Sequence, residues 1–229
     1  MGASSQLYDK VHAALVNWLI REIRSQADVG GYDDTYQVYP EFAYNYYGHR
    51  GSVDVLTYHV GWSQGEKRTQ GILELYEVWS AIHRLEEAIR KFNEKAEFTP
   101  KYFLASRKPE GGIGLQRNFF VLLNSLQNVT LIRENWHTFN SQFFEFHKIL
   151  NVLDWVVVNQ LVLIDPLNPR HFVYGRFDPE DDETVVASFP WIIVNLPAGE
   201  PKLQDRLEEW SYLDTTDFWE KYRSQKTAA

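Results

Sequence analysis

The chain of 229 residues contains no cysteine and one methionine. Without thiols there is no disulfide framework, no thiolate-bound zinc or iron–sulfur cluster, and no cysteine nucleophile. Long apolar runs are also missing. No segment approaches the length of a membrane span, and Met1–Gln6 has neither the basic start nor the apolar stretch of a secretory signal. Gly2 opens a myristoylation-like sequence, but Gln6 stands where that motif wants Ser or Thr. An excess of positive charge is absent as well: 23 Lys and Arg face 31 Asp and Glu, for a net charge of −8. That balance excludes a uniformly basic nucleic-acid binder, though not a local basic face. The expectation is a soluble cytoplasmic protein with no membrane partner, in which the sequon Asn128-Val129-Thr130 is accidental.

What the chain has in quantity is apolar and aromatic side chains: 44% hydrophobic residues, with 14 Phe, 13 Tyr and 8 Trp. A chain of this length and composition buries a full core in one structural unit. The charge is uneven, with 13 basic and 14 acidic residues over 1–108 against 10 and 17 over 109–229. The segment Asp178-Pro-Glu-Asp-Asp-Glu183 reads as a solvated acidic loop, its spacing matching no EF-hand.

Ser5 to Gln26 has a helical stripe (Val11, Leu15, Trp18), continued by Glu22, which places a carboxylate at the edge of the buried face. Tyr36–Tyr46 is aromatic and extended, with Pro40 implying an edge strand or bulge and Glu41 read as a solvated edge acid. Ser52–Val60 and Gly71–Val78 are strand candidates joined by a polar loop over 61–70. Val78, Ile82, Leu85, Ile89 and Phe92 form an apolar helical stripe, which Thr99-Pro100 is expected to end. Lys101–Ser106 reads as a strand, 115–127 and 135–150 as helices, Trp155–Ile164, Phe172–Arg176 and Val185–Val194 as strands, and roughly 202–223 as a last helix. The order over residues 6–106 is therefore α-β-β-β-α-β, within an α/β (α+β) fold.

Two acids fall on neighbouring strand candidates, Asp54 in Gly51-Ser-Val-Asp-Val-Leu56 and Glu74 in Gly71-Ile-Leu-Glu-Leu-Tyr76. A carboxylate among large apolar residues persists only when paired, protonated or bound to a metal. Oxygen ligands on adjacent strands suit Mg²⁺ or Mn²⁺, ions that activate water and neutralise phosphate charge. Residues 84–108 carry seven Lys or Arg against four Glu, the one notable basic stretch.

Through the element order, the Arg50-Gly51-Ser52-Val53-Asp54 run and the Ile72-Leu73-Glu74-Leu75-Tyr76 strand, the chain resembles the PD-(D/E)XK nuclease superfamily. The resemblance implies a restriction-endonuclease-like αβββαβ core over 1–108, with 109–229 an α+β elaboration packed on it. It implies metal-dependent cleavage of nucleic acid, DNA ahead of RNA, with Asp54 and Glu74 as Mg²⁺ or Mn²⁺ ligands and Glu22 as an accessory ligand. The family's lysine would fall at Tyr76, a phenol that supplies no positive charge. Arg84, Lys91 or Lys101 would have to replace it. Arg84, Lys91, Lys95, Lys101, Arg107 and Lys108 would contact phosphates, and a homodimer is conceivable. If no cation replaces the lysine, a degenerate scaffold that binds nucleic acid or assembles with proteins is the alternative.

A rival reading comes from Gly61-Trp62-Ser63-Gln64-Gly65, which matches the nucleophile elbow of serine hydrolases, with Asp165 and His171 as later triad candidates. The elements before Ser63 are too few for that fold, and a hairpin loop explains the same residues. The seven histidines show no H-E-x-x-H pattern; His49 and His59 flank Asp54 in sequence.

Overall fold

The computed structural model describes residues 3–29, 36–63, 68–143, 155–164, 166, 191–193 and 215–227. Helix α1 (Ala3–Val29) precedes strands β1 (Gln37–Tyr46), β2 (His49–Ser63) and β3 (Arg68–Trp79). There follow α2 (Leu85–Arg107), β4 (Leu115–Leu123), α3 (Leu126–Glu134), α4 (Trp136–Phe143), β5 (Val156–Ile164), β6 (Trp191–Ile193) and α5 (Thr215–Thr227). The strands form one mixed sheet in chain order, β1 to β6. β1, β2 and β3 are an antiparallel meander; β3, β4 and β5 run parallel; β6 returns antiparallel.

Each face of the sheet buries its own core. On one face Val11, Leu15, Trp18, Leu19 and Ile23 of α1 meet Val55, Tyr76, Val78, Phe119, Val121 and Ile164. On the other, Phe92 of α2 and Phe139 and Phe143 of α4 gather around Phe120, whose ring meets Phe92 edge-on at 5.2 Å. Buried aromatics in such edge-to-face pairs hold more than their area alone provides, by about 0.5–1.5 kcal/mol each.

The α-β-β-β-α-β order is present, but its last strand is not where the sequence placed it. Lys101–Ser106 belongs to α2, and the strand is β4, within the stretch read as helical over 115–127. β4 is central and parallel, its run from Phe119 to Leu123 apolar on both faces, and such a run carries no alternation to separate strand from buried helix. The same sheet thus continues past the expected boundary at residue 108.

Pro100 does not end α2; it lies inside it. A proline there removes the N–H that would bond the carbonyl four residues earlier. That carbonyl, Ala96, instead accepts a hydrogen bond from Gln116 Nε2 of β4 at 2.8 Å. Gln116 Nε2 also donates to Asn118 Oδ1 at 2.9 Å, and its Oε1 accepts from Trp155 Nε1 at 3.1 Å. Lys108, at φ 47, caps the helix by returning its N–H to Leu104 O.

The expected helix over 135–150 is described only as α4, and the strand over 185–194 only as β6; 172–176, the acidic segment 178–183 and most of 202–223 lie outside the described residues. Asn128 of the sequon is buried and donates to Ser80 O and Leu123 O, so its amide is committed to tying α3 to the sheet. Among the described residues no helix is long and apolar enough to cross a membrane.

Candidate functional site

The β2–β3 hairpin decides which acids meet. Ser63 pairs with Arg68, and the register runs unbroken to Val55 opposite Tyr76. Glu74 therefore lies opposite Thr57, three residues along β2 from Asp54, about 10 Å at the rise of a strand. The acid level with Asp54 is Glu77.

Regular pairing stops there. Asp54 Oδ2 accepts the backbone N–H of Val78 at 2.7 Å, so a side chain takes the place of the next rung. Across on β1, Glu41 adopts φ 48, and the Glu41/Asp54 level is absent from the β1–β2 ladder. Side chains change phase at this point. Val53 and Leu56 both enter the α2-side core, while Asp54 turns to α1 and pairs its Oδ1 with His12 Nε2 at 3.2 Å. The bond to Asp54 holds the His12 imidazole above its ordinary pKa.

Glu77 points toward α2. Its Oε1 is ion-paired with Lys95 Nζ. Its Oε2 is buried and has no hydrogen-bond partner among the described residues. With only 6% of its side chain exposed, burial, helped by the neighbouring Asp54 charge, pushes its carboxyl up to about 7. Lys95 opposes that shift. Two pairs thus lie where β2 and β3 part, Asp54 with His12 on the α1 side and Glu77 with Lys95 on the α2 side. Asp54 and Lys95 each keep nearly a fifth of their side chains in solvent, so the site is reachable.

Of the expected ligands, Asp54 is in this group and Glu74 and Glu22 are not. Glu74 Oε2 accepts from Thr57 Oγ1 and from Tyr76 Oη, both at 3.0 Å, and Oε1 faces Arg117 NH1 at 3.2 Å. Each of its oxygens is thus already engaged. The α1 residue that meets Asp54 is His12, and Glu22 lies ten residues further on, about 15 Å along the helix. Tyr76 is fully buried on Phe119 at 4.6 Å, its phenol raised well above the ordinary range by burial and by Glu74. It serves Glu74 rather than Asp54.

The expected substitute cations are elsewhere too. Arg84 and Lys91 sit at Glu87, at 3.8 and 2.9 Å, and Lys101 sits at Glu97 at 2.8 Å. Arg107 lies over the Tyr39 ring, and Lys108 is the helix cap. The basic stretch is largely a helix face with its own i,i+3 and i,i+4 partners. Lys95, expected only at phosphates, is the cation that reaches an acid of the site. Sequence reasoning missed Glu77 and His12; the available signal for Glu77 was a second acid on β3, three positions after Glu74.

Ser63 ends β2 and pairs with Arg68 of the antiparallel β3. This is a hairpin, not the strand–turn–helix context of a nucleophile elbow, and Asp165 and His171 lie outside the described residues. His49 stacks on Phe98 and reaches Glu94, and His59 stacks on Tyr36, so neither flanks Asp54 in space.

Among the described residues no three His, Asp or Glu side chains are close enough to form a metal cage. Mg²⁺ does not require one: it commonly takes one or two carboxylates and fills its octahedron with water and substrate phosphates. Comparison with family models, with curated proteins and with solved structures gave no match.

Proposed function

We propose that the chain is a divalent-metal-dependent nuclease whose site is Asp54, Glu77 and Lys95. The observation that carries this reading is the Glu77 carboxyl, which feels the Asp54 charge, has Lys95 on one oxygen, and has no partner for the other among the described residues. A buried oxygen with nothing to bind is costly in a folded protein, and a cation bound at Glu77 Oε2 would remove that cost. On this reading Glu77 takes the role that the resemblance gave to Glu74. The position two beyond the acid is then Trp79, stacked on Phe120, and the positive charge comes from α2 through Lys95.

The division of labour follows from the chemistry. Asp54 and Glu77 would hold Mg²⁺ or Mn²⁺, which lowers the pKa of a bound water and neutralises charge on the phosphate. Lys95 would stabilise charge developing on the phosphate oxygens. His12, hydrogen-bonded to Asp54 Oδ1, orients that carboxylate.

The test is cleavage of plasmid and single-stranded DNA with Mg²⁺ or Mn²⁺ by the full chain and by Asp54→Asn, Glu77→Gln and Lys95→Met. Each variant is expected to lose at least a hundredfold in rate, on the order of one electrostatic catalytic group. No cleavage by the wild type, or equal cleavage by the variants, removes the enzyme and leaves the binding scaffold.

A further inference from the structure

Resting on the nuclease reading, we propose that the outer strip of the β1–β2 hairpin, from Tyr47 through Arg50 and Ser52 to Asp54, is a track for single-stranded nucleic acid, with Tyr47 stacking on a base.

Tyr47 stands at the hairpin tip with 90% of its surface exposed, the most of any large apolar side chain described. Its backbone is at φ 49 and that of Gly48 at φ 88. Positive φ at both central residues is the two-residue hairpin turn that favours Asn-Gly or Gly-Gly, because a bulky side chain is strained there. Tyrosine thus occupies a position that suits it poorly, and its ring contributes little packing in return. The edge-on contact with Tyr46, centroids 4.6 Å apart at 89°, leaves a ring face open.

Among the described residues, nothing covers the strip between this ring and Asp54. Alternation along β2 puts Arg50 and Ser52 on the same face as Asp54, which its contact with His12 fixes as the α1 side. Arg50 and Ser52 are exposed, as are Asn45 and Ala43 opposite them on β1, so α1 does not reach this end of the hairpin. Arg50 has no ion-pair partner among the described residues, whereas the α2 cations Arg84, Arg90, Lys91, Lys95 and Lys101 each have a glutamate.

An open aromatic face, a guanidinium with no ion-pair partner among the described residues and the Asp54 carboxylate in line match the needs of a single strand. Bases stack on an aromatic platform without sequence preference, and the phosphates follow a cation. The turn lies about 17 Å of strand from Asp54, so the stacked base would sit a few nucleotides from the bond cut. Duplex ends would fit less well, because their bases are already stacked on one another.

The experiment is fluorescence anisotropy of a labelled oligothymidylate with the full chain in EDTA, where no cleavage occurs. Tyr47→Ala is expected to weaken binding roughly tenfold or more and Tyr47→Phe to retain it. Arg50→Gln should lower the slope of log Kd against log salt by about one. Replacing successive bases by abasic sites should erase the Tyr47 dependence at one position. Tyr47→Asn, suited to the turn, should keep the melting temperature and lose binding, which separates stacking from folding. Equal binding by wild type and Tyr47→Ala overturns the track, as does a wild type that binds no oligonucleotide, including one in which Tyr47 proves to be covered by a protein partner. Because the readout needs no metal, loss of the cleavage claim with Tyr47-dependent binding intact leaves this inference standing.

Discussion

Glu77 makes the site measurable without any substrate. In the unfolded chain its carboxyl ionises near 4.5; in the folded chain it does so at about 7. Below the lower value both states hold the proton and the group adds no pH dependence. Between the two, the folded protein keeps a proton that the unfolded chain has released, so stability falls as pH rises. Above about 7 both are ionised and the loss is complete. A displacement of this size corresponds to at most about 3 kcal/mol. Glu77→Gln keeps the shape and removes the titration, so wild type minus variant is expected to lose up to that amount between pH 4.5 and 8. Urea unfolding at four or five pH values measures it. His12, whose pKa is also raised, stabilises below its unfolded value and loses that contribution as pH climbs through its folded value. The loss is common to both proteins, and the subtraction removes most of it. A flat difference, or one in which the wild type gains stability with pH, would refute a buried, partly orphaned carboxyl. Mg²⁺ at pH 8 should then stabilise the wild type more than Glu77→Gln, since binding to the folded state alone raises stability by mass action.

Gln116→Leu should cost about 1–3 kcal/mol for each buried group left without a partner, the Ala96 carbonyl and Trp155 Nε1 among them; Pro100→Ala in the same chain should recover part of it by restoring an N–H for Ala96, and additivity of the two in denaturant unfolding would contradict the link. Glu74→Ala, which strips Thr57, Tyr76 and a partly exposed Arg117 of their acceptor, should lower stability by about 1–3 kcal/mol yet leave cleavage within a few-fold of wild type at low temperature. A loss as deep as that of Asp54→Asn would return Glu74 to the site.

The parts of this fold that could be read from the sequence are those whose patterns are locally distinctive. The α1 stripe of Val11, Leu15 and Trp18 is buried as its spacing requires, and the β1–β2–β3 meander lies where β-branched and aromatic residues concentrate. Pro100 misled because the cost of a helix proline depends on what receives the freed carbonyl. That partner, Gln116 on β4, is twenty residues from the Ala96 carbonyl it serves. β4 misled for a related reason: enclosed by β3, β5 and helices on both faces, its Phe119–Leu123 run has no polar side to display.

The site turned on a finer matter. Asp54 was legible from its own surroundings, but its partner is set by hairpin register, and β3 offers two acids, Glu74 and Glu77, whose side chains face opposite sides. Reading 61–70 as loop ends both strands early and leaves the pairing free to slide. With the strands continuing to Ser63 and from Arg68, the connection is residues 64–67 and one register remains. A slip that brought Glu74 level with Asp54 would shift β3 by three residues. An odd shift turns a strand's side chains to the opposite faces, so Leu73 and Leu75 would leave the α2 core and Tyr76 and Val78 would enter it. The apolar residues of β3 thus fix which acid lies level with Asp54, and any site built on that strand inherits its chemistry from the packing of leucines.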